Sequence, residues 1–544
     1  MGYIGDMRYG FVIDQTTCIG CHACTVACKT EHQVPLGVNR TWVKYVEQGT
    51  WPDTKRSFSV MRCNHCADAP CVTICPTSAL FKRRDGIVDF NTSNCIGCKS
   101  CMQACPYDAI YIDPGDHTAQ KCNYCAHRVE VGIEPACVVV CPEQSIVAGD
   151  LDDPKTKIAR MVAAGDLQQR AAERGTRPNL WYKGAQQANI ESLAASRSDD
   201  GGIWRDPVGI DRSWLSVDLT TNPDGDRTGT THSASIELDD SGAPRVVYEN
   251  DFPAPWGWRV SSYILTKAIS AGIAMAAATA LLFGAATESM WMRLAAPLVG
   301  GLFLLLTGLL LITDLKRPER FYYLLTKGNP TSWLVRGTWI LTAQAFMFGV
   351  WFLAGLAGRN GTVRGAIWLS ALIGLGTAGY TAYLFAQARG RALWGGPLLV
   401  WHMIAAAFAV GGGVSLIASV VSTTGGFALA NAPLTSATVP TGTFAFALTM
   451  LLGALGLAMI AALESDDDHD HGADLAFHHM TQGKFATRYR VGLVLAIVIP
   501  ALAGVAVLLG APVIFGAIGG LTTMVGLWLV DDAFVQAGQS VPLT

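Results

Sequence analysis

No cysteine occurs after Cys141 in a chain of 544 residues, although that residue is the sixteenth. Beyond Pro255 charge is scarce as well, so the second half has neither the thiols nor the ionised surface of a water-soluble enzyme. Basic excess is missing too. The formal net charge is −3, which excludes a nucleic-acid partner on composition. Met1 to Asp14 lacks a long apolar run and a twin-arginine pair, so no export signal is expected. Of 11 histidines only His402 falls inside a long apolar run, which excludes a b-type haem held by two axial histidines in that half.

What is present is concentrated between Cys18 and Cys141, in four groups of four. They are Cys18, Cys21, Cys24, Cys28; Cys63, Cys66, Cys71, Cys75; Cys95, Cys98, Cys101, Cys105; and Cys122, Cys125, Cys137, Cys141. Pro76, Pro106 and Pro142 follow the last three groups. The first and third groups have the C-x2-C-x2-C-x3-C spacing of bacterial ferredoxins. A [4Fe–4S] cube needs a thiolate at each of four corners. Two-residue gaps let one turn wrap three of them, and the fourth cysteine, on the helix that follows, reaches a neighbouring cube. Disulfides need no repeated two-residue gaps, and a zinc site has no interlocked fourth ligand. Sixteen such thiolates predict four [4Fe–4S] clusters. By analogy with two-cluster ferredoxins, Cys63, Cys66 and Cys71 join Cys105, and Cys95, Cys98 and Cys101 join Cys75. Likewise Cys18, Cys21 and Cys24 join Cys141, and Cys122, Cys125 and Cys137 join Cys28.

The fold class expected is an α+β double ferredoxin-like cluster domain fused to an all-α membrane bundle of eight helices. Residues 1–180 form the cluster domain, 181–257 an extension or linker, and 258–535 the membrane domain. Short strands are expected at Phe11–Asp14, Ile87–Asp89 and Ile110–Ile112, with a hairpin over Trp42–Val46 and Phe58–Val60 and a charged helix reaching about Arg174. Apolar runs long enough to span a bilayer are read at about Ser262–Gly284, Trp291–Thr313, Trp333–Gly358, Arg364–Ala388, Gly396–Ser422, Thr438–Leu463, Val491–Gly510 and Pro512–Val530. Eight spans return the chain to its starting side. Lys316, Arg317, Arg320, Lys327, Arg336, Arg389, Arg391, Lys484, Arg488 and Arg490 crowd that side, against Arg293, Arg359 and Arg364 opposite. The charge asymmetry predicts a cytoplasmic cluster domain on a cell (inner) membrane.

Without haem, the carrier a membrane domain can meet is a lipid-soluble quinone. Candidate residues are Tyr380 in the fourth span, Asp314, Arg317 and Glu319 at the end of the second, and His402 and Lys267 within the bilayer. Each has a plainer reading. Asp314 to Arg320 also reads as a cap of interfacial charges, Tyr380 as an interhelical tyrosine and Lys267 as a snorkelling side chain. Asp466 to His471 with His478 and His479 reads as a solvated loop or, with less support, a metal site.

The first ~180 residues resemble the four-cluster electron-transfer subunit of the dimethyl sulfoxide and polysulfide reductase class, on the four cysteine groups, their prolines and Ala148-Gly149-Asp150. The membrane half is similar to the NrfD/polysulfide-reductase anchor family, on Leu315-Lys316-Arg317-Pro318-Glu319-Arg320-Phe321, Tyr380-Thr381-Ala382, Arg391-Ala392-Leu393-Trp394 and Ala537-Gly538-Gln539. The resemblance implies eight spans, no haem, and a quinone, menaquinone or ubiquinone, beside Tyr380. It also implies a separate catalytic subunit, of molybdopterin or tungstopterin type. The chain is thus expected to carry electrons between that subunit and quinone, with no chemistry of its own on the primary substrate. Two other readings stay open: a module of a quinol:acceptor complex linked to c-type cytochromes and ion translocation, or an anchor with no quinone site. Many relatives face the periplasm, whereas the N-terminus and charge pattern here predict the opposite.

Overall fold

A computed structural model of the chain describes residues 7–197, 242–250, 254–424, 439–464 and 471–544. The cysteine-bearing part is framed by strands β1 (Tyr9–Asp14), β2 (Thr41–Gln48), β3 (Lys55–Arg62), β4 (Ile146–Asp150), β5 (Leu180–Lys183) and β6 (Arg245–Tyr248). β1 lies between β4, antiparallel, and β5, parallel. Its side chains alternate as a strand requires: Phe11 and Ile13 pack against Cys24, Cys137 and Ile146, while Val12 packs against Val147 and Ile158 on the other face. β2 and β3 form a hairpin in register from Thr41 opposite Arg62 to Gln48 opposite Lys55. Two smaller hairpins, Leu80–Lys82 with Val88–Phe90 and Ile110–Ile112 with Ala119–Lys121, follow the second and third cysteine groups.

The charged stretch after Asp150 is less helical than its composition suggests. Thr156 caps a helix over Lys157–Ala163, its Oγ1 accepting from the Ala159 amide at 3.1 Å. Gly165, at φ +78°, ends it, and the next helical residues are a single turn at Ala172–Arg174. The expected linker is partly structured as well. β6 pairs with β2, adding a strand to the hairpin, and Gln187–Ile190 is a helical turn. Residues 198–241 and Asp466 to Asp470 lie outside the described residues.

Eight helices are long and apolar enough to cross a membrane: α1 (Trp258–Leu282), α2 (Trp291–Asp314), α3 (Trp333–Leu356), α4 (Asn360–Ala386), α5 (Leu399–Thr424), α6 (Thr441–Glu464), α7 (Ala486–Leu508) and α8 (Val513–Ser540). α2 exposes Leu298, Leu302, Leu305 and Leu309, a stripe at helical spacing that water would penalise and lipid accepts. α1 is buried along nearly its whole length between α2, α4 and α5. It crosses α5 closely, because Gly272 and Gly411 meet backbone to backbone. A Cβ on Gly272 would lie 2.1 Å from the Ala407 carbonyl oxygen.

α8 runs ten residues past the Val530 end expected for it. Asp531 and Asp532 do not end the span, because both turn into the protein, where Ser261, Arg488 and His402 receive them. At about 1.5 Å per residue the helix exceeds the roughly 30 Å hydrocarbon layer and reaches the cluster domain.

Candidate metal centres and membrane cavity

The cysteine loops turn on left-handed residues. Gly20 and His22 shape the first, Gly97 and Lys99 the third, and Tyr124 and Cys125 the fourth. Gly97 is fixed by more than its φ of +68°: a Cβ there would lie 2.6 Å from the Cβ of Lys316. These turns aim thiols inward. Cys18, Cys21, Cys24 and Cys141 line one cavity, Cys75, Cys95, Cys98 and Cys101 a second, and Cys63, Cys66, Cys71 and Cys105 a third. Cys28 faces Cys122, Cys137 and Cys125. Each quartet takes three cysteines from one group and one from another.

The donors fit an iron–sulfur core better than a single ion. A mononuclear site draws its thiolates to within about 2.3 Å of one point. Among the described residues no three Cys, His, Asp or Glu side chains converge in that way. The first three quartets instead surround spaces of about 350, 360 and 320 Å³ that open towards solvent, lined chiefly by apolar atoms. Burial, reinforced by Cys63, pushes the Cys66 thiol up to about 12, and burial with Cys75 does the same at Cys98. Metal binding at such thiols has to displace their protons.

The quartets form a file. Cys24 interacts electrostatically with Cys137, Cys122 with Cys63, and Cys101 with Cys71. At one end Cys21 is exposed. At the other, the Cys75/Cys95/Cys98/Cys101 quartet is docked on the membrane domain. There Trp256 Nε1 donates to the Cys98 carbonyl, Asn329 Nδ2 to that of Cys75, Ser332 Oγ to that of Ile74, and Arg320 to those of Thr92 and Cys95. Gln103 bonds Gln539 at the end of α8, 2.6 Å away.

The six membrane candidates fall in three places. Asp314 pairs with Lys99 of the third cysteine loop at 2.8 Å. Arg317 donates to the Asp116 carbonyl and lies 3.4 Å from Glu319. These three belong to the docking seam. Lys267 and Tyr380 are buried together: the ammonium sits 4.7 Å from the phenol ring centroid and donates to the Ala378 carbonyl and Thr381 Oγ1. Lys267 therefore points into α4 and does not snorkel. The Tyr380 ring fills the space that a side chain on Gly337 of α3 would need.

His402 alone of the six lines a cavity of about 630 Å³ between α1, α5, α6, α7 and α8. Its walls are largely apolar, with Met403, Leu457, Leu493 and Phe534 among them; Glu464 and Tyr489 also line it, and Asp531 faces His402 at 4.0 Å. Sequence reading missed Asp531 because a pair of aspartates after an apolar run looks like the end of a span. The signal was the apolar Ala533-Phe534-Val535 that follows. Farther out, Asp532 pairs with the half-exposed Arg488 at 2.8 Å. His479, one of the residues offered as a metal ligand, lies 2.8 Å from Ser540 Oγ.

Two family models match the chain. Residues 247–530 match the polysulphide reductase NrfD model, and residues 54–151 match a 4Fe-4S dicluster domain that takes in the second to fourth cysteine groups. The cluster part is similar to the B component of polysulfide reductase of Wolinella succinogenes, 40% identical over 188 residues, covering 34% of this chain and 98% of the relative. It is also similar to the B component of tetrathionate reductase of Salmonella typhimurium, 42% identical over 190 residues, covering 34% and 76%. A third relative, the arsenate respiratory reductase iron–sulfur subunit of a Shewanella species, is 35% identical over 224 residues, covering 32% and 96%.

Proposed function

The chain belongs to the polysulphide reductase NrfD family, with a 4Fe-4S dicluster domain ahead of the family's membrane part, and from that premise we infer a complete electron route between a catalytic subunit and membrane quinone. It is a multi-pass membrane protein that transfers electrons and anchors a reductase complex. The observation that carries the finer reading is the file of four thiol quartets, from the exposed Cys21 to the seam at Cys98. We assign one [4Fe–4S] cluster to each quartet. Such clusters, when bound, supply one-electron redox chemistry. The catalytic partner docks at the Cys21 end, and the family resemblance favours a molybdopterin or tungstopterin subunit there.

The quinone ring occupies the His402–Asp531 cavity. Its largely apolar walls accept a ring, and a few polar groups converge on it, as in other ligand cavities. His402 donates or accepts at a quinone oxygen, and Asp531 orients the imidazole and holds a proton. Asp532 and Arg488 link that pair to the surface on the cluster side. Lys267 interacts electrostatically with Asp531 from α1 and is pressed in place by Tyr380. Asp314, Arg317 and Glu319 hold the cluster domain in register. The crowd of Lys and Arg on the seam side supports a cytoplasmic cluster domain.

Purified protein should contain iron for four cubes and should be reduced by a short-chain menaquinol or ubiquinol. Iron for fewer than four cubes would overturn the cluster count. Four cubes that no quinol reduces would leave the membrane part as an anchor only.

A further inference from the structure

Arg62 closes β3 next to Cys63 and is 1% exposed. Its Nη1 donates to Cys137 Sγ at 3.0 Å, and its guanidinium carbon stands 4.6 Å from the Phe11 ring centroid. Nε and Nη2 find no hydrogen-bond acceptor, and among the described residues no carboxylate forms an ion pair with this side chain. A buried guanidinium without a counter-charge is costly, so an anion must face it. The groups around it are cysteines: Cys137, Cys122 and Cys24. It is the only cation hydrogen-bonded to a cysteine sulfur among the described residues. The sulfurs of Cys75, Cys95 and Cys141 accept from backbone amides instead. The same quartet has a second side-chain neighbour, since His32 Nε2 lies 3.1 Å from Cys125 Sγ.

We propose that Arg62, assisted by His32, raises the reduction potential of the cluster held by Cys28, Cys122, Cys125 and Cys137. The inference rests on the four-cluster reading above. Reduction adds one electron to that cluster and breaks no bond in the protein, and the guanidinium keeps its charge in both states. A fixed positive charge and a hydrogen bond on sulfur both stabilise the more negative, reduced form. Arg62 thereby sets how readily the second position in the file, counted from the exposed end, holds an electron. Through Cys24 it acts more weakly, in the same sense, on the first.

The test is a dithionite titration of the full chain followed by EPR, with the Cys125→Ser protein identifying the signal of this quartet. The iron content and the number of wild-type signals test the four-cluster reading separately. Arg62→Gln should shift the reduced-to-oxidised ratio of that signal at least tenfold at fixed potential, about 59 mV for one electron, towards a lower midpoint. The seam quartet's signal should stay in place. Arg62→Lys, which keeps the charge, should show less than half that shift, and His32→Gln a smaller shift of the same signal. An unmoved midpoint in an Arg62→Gln protein with full iron, or an equal shift of all signals, overturns the proposal. Should Arg62→Gln fail to take up iron, an unmoved midpoint in His32→Gln overturns it instead.

Discussion

The tetrapeptide Cys-Ile-Gly-Cys occurs twice, at Cys18 to Cys21 and at Cys95 to Cys98, and its two copies live in opposite surroundings. Ile19 is 55% exposed and Ile96 is 1% exposed. Gly20 lies against Phe58 of the hairpin, whereas Gly97 lies against Lys316, where α2 meets the cluster domain. The residue after each tetrapeptide is left-handed in both, and it is His22 in one and Lys99, paired with Asp314, in the other. An identical motif thus builds an identical turn, and the role of each quartet comes from what covers it. The first copy is exposed, and the second is closed by the membrane domain.

Removing one thiol at each end should separate the two roles most sharply. Cys98→Ser should abolish quinone-linked turnover while a soluble dye still exchanges electrons with the remaining clusters. Cys21→Ser should do the reverse, sparing reduction by quinol and losing transfer to the catalytic subunit. Stopped-flow absorbance with quinol and with dye distinguishes them, and loss of both activities in either protein would break the comparison. Next in size is the cavity behind the closed end. His402→Gln or Asp531→Asn should slow quinol oxidation about 10²- to 10⁴-fold, the usual worth of a positioned acid or base, with every cluster EPR signal retained.

The duplicated isoleucine offers a gentler comparison. Ile96→Ala removes a fully buried side chain and should destabilise the cluster domain by about 2–5 kcal/mol, whereas Ile19→Ala should cost within about 0.5 kcal/mol. Denaturation of the holoprotein followed by loss of cluster absorbance measures both, and equal costs would mean that the first end is also covered. The smallest effect belongs to Tyr380→Phe. The phenol lies outside the cavity, so the loss of its hydroxyl should slow quinol turnover by about tenfold or less. A collapse as deep as that of His402→Gln would move the quinone to the Tyr380 side.

The cluster domain was largely legible because cysteine spacing is a short-range geometric code. Three thiols on one turn follow from two-residue gaps, and the short apolar runs Phe11-Val12-Ile13 and Ile110-Tyr111-Ile112 beside the cysteine loops read as strands. The membrane spans were legible by length and hydropathy. What was not legible depended on contacts across the bundle. Nothing local to Lys267 says that its ammonium ends on Ala378 and Thr381 more than 110 residues away. Asp314 read as a quinone-site candidate or an interfacial charge, and its partner Lys99 lies in a different domain. Asp531 went unnoticed because a charge at a helix end and a charge facing a cavity read alike in one dimension. The helix after Asp150 stopped early because one glycine, Gly165, outweighed the composition around it.

The seam between the two halves is made largely of side chains reaching for main-chain oxygens: Trp256 for Cys98, Asn329 for Cys75, Ser332 for Ile74, Arg320 for Thr92 and Cys95. A carbonyl is the same in every residue. The membrane half therefore grips the shape of the cysteine loops and is largely indifferent to the letters that compose them. In evolutionary terms such a joint is a standard fitting. A cluster domain of different surface would meet the same fitting as long as its loops keep their turns and it supplies partners for Asp314 and Gln539, which here are the side chains of Lys99 and Gln103.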